Sequence, residues 1–198
     1  MKVKEIKALV QTKFLSMYDI KYQNKHGDTK HWTLATRKSQ SDLDDIFFKD
    51  IPDAVDAVVM VSFHKETKSL VVIKQFRVPV NGYIYELPAG LIDAGETIET
   101  TAKREIKEET GLEVIEILYN YNKLYLTPGM TDESVSLVFC VCTGEISTEN
   151  LEPDEDITPY LVDKKEASTI LQSDCKMDIK LYLILLNFVN GSYDTLLK

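Results

Sequence analysis

Three glutamates, Glu105, Glu108 and Glu109, stand at i, i+3 and i+4 inside residues 90–112, GLIDAGETIETTAKREIKEETGL. On a helix that spacing gathers their carboxylates on neighbouring positions. Like charges so placed destabilise a bare helix by roughly a few tenths of a kcal/mol per pair. A cation is therefore expected among them. Carboxylate oxygens are hard ligands that suit Mg²⁺, with Mn²⁺ as second choice, and the stretch holds no His or Cys to favour zinc. Mg²⁺ keeps several waters and takes further oxygens from a substrate phosphate, so a few glutamates suffice. Arg104 lies between Glu96 and Glu108 in the chain and is placed to brace one of them. The plain alternative, a solvated acidic helix face, has also to account for the glycines and the Arg-Glu pair standing in register with these acids.

The carboxylates need a helix to hold them. Asp93-Ala94-Gly95 reads as a turn, Glu96 and Thr97 as a helix start, and Gly111 as its stop. Between them Ile98, Ala102 and Ile106 recur as one apolar stripe to bury. Upstream, residues 54–63 and 69–76 are apolar, β-branched runs joined by a polar segment, which predicts a hairpin. Residues 82–87 read as a short strand leading into Pro88-Ala89-Gly90. Downstream, 113–126, 133–143 and 158–162 read as strands, and 164–172 and 178–190 as helices. The last helix is expected to pack through Ile179, Leu183, Leu186 and Val189, with Gly191 ending it.

The first fifty residues form a separate organisational unit. Runs 14–22 and 31–37 read as two strands around a polar turn, a hairpin that must pack on something to be stable. Residues 38–50 read as a connector. The expected division is residues 1–50, a strand-bearing N-terminal element, and residues 51–198, an α/β domain that holds the acidic helix.

The chain has 198 residues, 44% of them hydrophobic, enough for one domain with an added N-terminal element. A net charge of −9 argues against a nucleic-acid-binding surface but not against a nucleotide, because bound metal inverts the local field. Cys140, Cys142 and Cys175 give no even disulfide framework, and the first two alternate along a strand-like run as buried free thiols. No signal peptide or membrane span is legible, so no membrane partner and a cytoplasmic location are expected. His26, His31 and His64 lack a partner pattern and read as structural or exposed.

Gly90, Glu96, Arg104-Glu105-Ile106, Glu108-Glu109 and Gly111-Leu112 match every fixed position of the pattern G-x5-E-x7-R-E-U-x-E-E-x-G-U, with U aliphatic. The chain thus resembles the Nudix hydrolase family. That resemblance implies an α/β/α sandwich with a mixed sheet, here preceded by the N-terminal hairpin or small sheet. Lys74-Gln75-Phe76-Arg77-Val78-Pro79, Glu86-Leu87-Pro88-Ala89-Gly90-Leu91-Ile92 and Thr127-Pro128-Gly129-Met130-Thr131-Asp132-Glu133 are similar to the ADP-ribose pyrophosphatase branch.

The resemblance implies that the Ala89 carbonyl, Glu105, Glu108 and Glu109 hold the metals, while Glu96 pairs with Arg104 and orients the helix. Arg77 would contact a substrate phosphate, with Glu86 on the sugar or metal side of the pocket and Pro128 marking the branch. The water-aligning base would come from the late acidic loop, where Glu155 is chosen ahead of Glu152 and Asp154. Trp32 would stack on the base of a nucleoside diphosphate sugar, with Tyr18 a weaker candidate, and the N-terminal strands would build a homodimer. A different sugar nucleotide such as GDP-mannose, a damaged nucleotide, or a non-catalytic nucleotide-sensing module are the competing expectations. The intact acidic set favours hydrolysis.

Overall fold

A computed structural model describes residues 1–195 of the protein, which divide into two compact units. The first comprises Met1–Asp56 with Lys123–Val135. Strands β1 (Lys2–Gln11), β2 (Ser16–Gln23) and β3 (Thr29–Thr36) pair antiparallel in that order, so the sheet has three strands where a two-strand hairpin is expected from the sequence. Irregularities in the β1–β2 register between Val3 and Glu5, and between Ala8 and Val10, explain why β1 was hidden. Each shifts the inside-outside alternation by which a strand is recognised. The supposed connector also contains helix α1 (Gln40–Phe48), opened by a capping box between Ser39 and Asp42. Leu43 is its one buried residue, too little to write a helical stripe. Ile6, Tyr18, Ile20, Leu34 and Leu43 form this unit's core. Tyr18 is fully buried there and offers no ring face for stacking.

The second unit comprises Ala57–Asn122 with Ser136–Lys198, of which 196–198 lie outside the described residues. It holds strands β4 (Ala57–His64), β5 (Leu70–Arg77), β6 (Gly82–Glu86), β7 (Ala89–Leu91) and β10 (Ile157–Val162), and most of β8 (Glu113–Tyr125) and β9 (Ser134–Thr143). The sheet runs β10-β5-β4-β9-β8, with β6 on β5 and β7 on β4. Ladders β10–β5, β4–β5, β4–β7 and β5–β6 are antiparallel. Between β4 and β9 contacts advance together, Ser62 with Cys140 and then Lys65 with Cys142, so the sheet is mixed as expected.

Helix α2 (Ile98–Thr110) is the acidic helix. Thr97 caps it in a reciprocal bond with Thr100, and Gly111 ends it at φ 76°, a left-handed conformation that favours glycine. Ala102 and Ile106 are fully buried against Val58, Met60 and Val71, with Ile98 and Leu161 packed at the edge. Burying a side chain like Ile106 contributes about 1.5–3 kcal/mol. That apolar stripe turns the glutamates toward the sheet rim.

Helices α3 (Lys164–Gln172) and α4 (Ile179–Val189) complete the unit. On α4 the packing face is Leu181, Ile184, Leu185 and Phe188. Of the stripe expected to pack, Ile179 and Leu183 are 66% and 51% exposed, while Leu186 and Val189 are half-buried. The helix is apolar nearly all round, so periodicity could not choose its face. Among the described residues no helix is long and apolar enough to cross a membrane.

Candidate active site

The polar site lies in the second unit, where β10 and β6 flank β5 and α2 presents its acids. Directly opposed residues of an antiparallel pair share one face. Ile73 stands opposite Glu86, Gln75 opposite Ile84, and Arg77 opposite Gly82, while Ile157 of β10 flanks Gln75 on its other side. Val71, two residues before Ile73, packs with Ala102 and Ile106, so this is the face that α2 covers.

Arg104 organises the acids. Its Nε donates to Glu96 Oε1 at 2.9 Å and its Nη2 to Glu96 Oε2 at 2.8 Å, a two-pronged clasp. Nη2 also donates to the Leu91 carbonyl, and Nη1 reaches Glu105 at 2.7 Å and Glu108 at 2.9 Å. Glu96 further accepts from the Thr101 hydroxyl and the Asp93 N–H. The bonds to Arg104, then to Thr101, hold the Glu96 carboxyl at about 2.

Glu109 differs from its neighbours. It is 3% exposed and accepts one bond, from the Ala89 N–H at 3.0 Å. Burial, then the charge of Glu105, pushes its pKa well above the usual 4.5. Burial likewise raises Glu105, against the opposing pull of Arg104. The charge of Glu155 bears on both groups, and that of Arg77 bears on Glu109. The late loop therefore faces the same acids. Gly90 closes the cradle, because a Cβ there would overlap the Glu105 carboxylate.

The donor set fits a hard divalent cation: oxygens alone, with buried negative charge that Arg104 answers at Glu105 and Glu108 but not at Glu109. With Glu105 and Glu108 turned to Arg104, no three acidic, His or Cys side chains among the described residues converge as a ready cage.

Arg77 Nε donates to Glu86 Oε2 at 2.8 Å, and Arg77 is otherwise largely exposed. Glu155 Oε2 accepts from the Glu152 N–H at 2.9 Å, closing a turn in the acidic loop. The loop is anchored one residue later. Tyr83 donates to Asp156 Oδ2 at 2.5 Å, and the Phe76 N–H donates to the Asp156 carbonyl. Sequence reading missed Thr101 and Tyr83, which no local pattern marks. Trp32 and Pro128 belong to the first unit, where they line a cavity of about 350 Å³ with Ile20, Leu34, Phe47 and Tyr125. Trp32 is 52% exposed. Cys140 and Cys142 are buried free thiols in β9.

Residues 52–174 match the model of the NUDIX domain. An ADP-ribose pyrophosphatase of Saccharomyces cerevisiae is 31% identical over 159 residues, 78% of this chain and 62% of that protein. An ADP-ribose pyrophosphatase of Bacillus subtilis is 39% identical over 100 residues, 50% of this chain and 52% of that protein. The chain thus spans between half and two thirds of these relatives. The crystal structure of an ADP compounds hydrolase superposes with a TM-score of 0.67, covering 99% of this chain and 96% of that one at 17% identity. That likeness concerns the fold.

Proposed function

We propose that this chain, which belongs to the Nudix family, is a divalent-metal-dependent hydrolase of ADP-ribose or a related ADP-sugar, yielding AMP and a sugar phosphate. The observation that carries the reading is the pair Glu105 and Glu109: two buried carboxylates that both feel the charge of Glu155 on the acidic loop, with Glu109 also feeling Arg77 and making no ion pair with the chain's own cations. The names of the yeast and Bacillus relatives support the substrate class.

Glu105, Glu108, Glu109 and the Ala89 carbonyl would hold Mg²⁺, or Mn²⁺ in its place. Bound metal lowers the pKa of a water and neutralises charge on the diphosphate. The chain's residues do the rest. Arg104, clasped by Glu96, keeps the acids in register with the loop at Gly90. Arg77, held by Glu86, presents its remaining donors to a phosphate oxygen. Glu155 takes the proton from the attacking water at its free Oε1, while Oε2 stays on the Glu152 N–H. The water oxygen bonds to phosphorus as the bridging P–O bond breaks, and the departing phosphate oxygen leaves with the sugar.

The first unit belongs to the same proposal, as the homodimerisation element in which Trp32 stacks on the base and Pro128 contacts the substrate. Support comes from the apolar cavity that both residues line. A reducing, cytoplasmic compartment suits the three free cysteines.

The test is hydrolysis of ADP-ribose and GDP-mannose with Mg²⁺, beside Glu109→Gln. Release of AMP from ADP-ribose that Glu109→Gln abolishes is the expected result. Preference for GDP-mannose would keep the site and move the substrate. Binding without turnover of any diphosphate would replace the hydrolase with a nucleotide sensor.

A further inference from the structure

The late acidic loop is tied to the sheet through Asp156. Among the described residues Glu152 and Glu155 bond only to each other, the Glu155 N–H to the Glu152 carbonyl and the Glu152 N–H to Glu155 Oε2. Asp156 makes the outward ties. Its carbonyl accepts from the Phe76 N–H at 3.1 Å, and its Oδ2 from the Tyr83 hydroxyl at 2.5 Å. The first of these carries the β5–β10 register one step past Ile157, which stands opposite Gln75.

Strand alternation then sets the way each side chain faces. Ile157 shares the α2-covered face with Gln75, so Asp156 takes the opposite face. On that face Phe76 stands opposite Tyr83, and their rings meet edge to face at 5.4 Å. One further step returns Glu155 to the α2 side, in the row of Arg77, and its charge bears on Glu105 and Glu109 there. Strands β6 and β10 lie on either side of β5, about 10 Å apart at ordinary strand spacing. The Tyr83 hydroxyl thus reaches Asp156 across Phe76, a strap over three strands. Lys74 Nζ, 5.6 Å from the Tyr83 ring centroid, holds the ring from a second side.

We propose that Tyr83 is a positioning residue for the hydrolysis: by fixing Asp156 on one face of the sheet, its hydroxyl holds Glu155 on the other, where the attacking water gives up its proton. The inference rests on the hydrolase reading above, with Glu155 as its base. Without the Tyr83 bond Asp156 keeps a single backbone tie, the loop frays from the sheet and Glu155 loses its aim. A displacement of about 1 Å in such a group costs roughly a hundredfold in rate. Substrate binding is spared, because Arg77 and the acids that hold metal stand on β5 and α2.

The test is a double-mutant cycle in ADP-ribose hydrolysis with Mg²⁺. Tyr83→Phe removes only a half-exposed hydroxyl, and it is expected to lower kcat roughly 10- to 100-fold with KM changed by about twofold or less. Placed on Glu155→Gln, the same substitution is expected to lower kcat by about twofold or less, because the group it aims is already gone. Asp156→Ala breaks the bond from its other end, should match Tyr83→Phe, and stands in for it if that variant fails to fold. A second measurement needs no turnover: hydrogen exchange of the Phe76 amide in the metal-free protein, which Tyr83→Phe should speed roughly 5- to 30-fold. Unchanged kcat, a penalty carried in KM, a full penalty retained on Glu155→Gln, or unchanged exchange overturns the proposal. A wild type that hydrolyses no diphosphate refutes the hydrolase reading and this proposal with it. An active wild type indifferent to Tyr83→Phe refutes this proposal alone.

Discussion

Each of the two units gathers acids in a partly buried place, and they treat the charge in opposite ways. In the first, Asp53, Asp56 and Asp132 surround Lys38 Nζ at 3.4, 2.8 and 3.3 Å, and Lys123 adds a second cation 3.5 Å from Asp53. Burial acts to lower the Lys38 pKa, but the bond to Asp56 and the three carboxylate charges outweigh it and hold the pKa above the usual 10.5. In the second, Glu105 and Glu109 are buried with Arg104 at the rim, and Glu109 rests on a single N–H. The chain supplies the cation within one cluster and leaves it wanting in the other. An acid count alone does not distinguish a structural knot from a metal site; the position of the chain's own positive charge does.

The contrast breaks most sharply at Glu109. Glu109→Gln is expected to lower kcat about a thousandfold, equivalent to about 4 kcal/mol of barrier, in the ADP-ribose assay. The same variant should melt no lower than the wild type without metal, because a buried unpaired carboxylate has become neutral. A melting point several degrees below wild type would make Glu109 structural.

Lys38→Met should do the reverse, stranding three carboxylates. A loss of about 3–5 kcal/mol in urea denaturation is expected. Metal should then separate the clusters directly. At about a hundred times its Kd, Mg²⁺ should stabilise the wild type by about 2.7 kcal/mol and Glu109→Gln by far less. Equal stabilisation of both would locate the ion elsewhere.

The smallest effects are in pH, and their signs differ. Glu96 has a folded pKa near 2 against an ordinary 4.5, so its contribution is complete above pH 4.5 and is lost as pH falls toward 2. Glu96→Gln should flatten that acid limb. Glu109 has a raised folded pKa, so the metal-free protein binds the extra proton when folded. Its stability should decline as pH rises from 4.5 through the raised value, and Glu109→Gln should remove that slope. Chelator-treated protein melted at a series of pH values reads both limbs.

Much of the second unit was legible because its signals are local. The β-branched runs of β4 and β5, the Ile98–Ala102–Ile106 stripe and the Gly111 stop each lie within a few turns of chain. Helix α3 falls at residues 164–172 as read. The first unit was less legible. Bulges scrambled the alternation of β1, and α1 buries only Leu43. On α4 only Lys180 and Asn187, on one face, break the apolar run, too weak a mark to choose among Leu181, Leu183 and Leu185 without the neighbours.

By itself the sequence determined the acidic helix, its start and stop, and the register of Glu105, Glu108 and Glu109 against Arg104, because a 3.6-residue repeat needs no distant partner. Tertiary structure alone decided which carboxylate goes without a cation, that Lys38 meets Asp132, and that Gln75 Oε1 is buried without a partner. Burial and long-range pairing are set by residues far apart in the chain, and a residue's protonation, exposure and unmet hydrogen bonds follow from those neighbours.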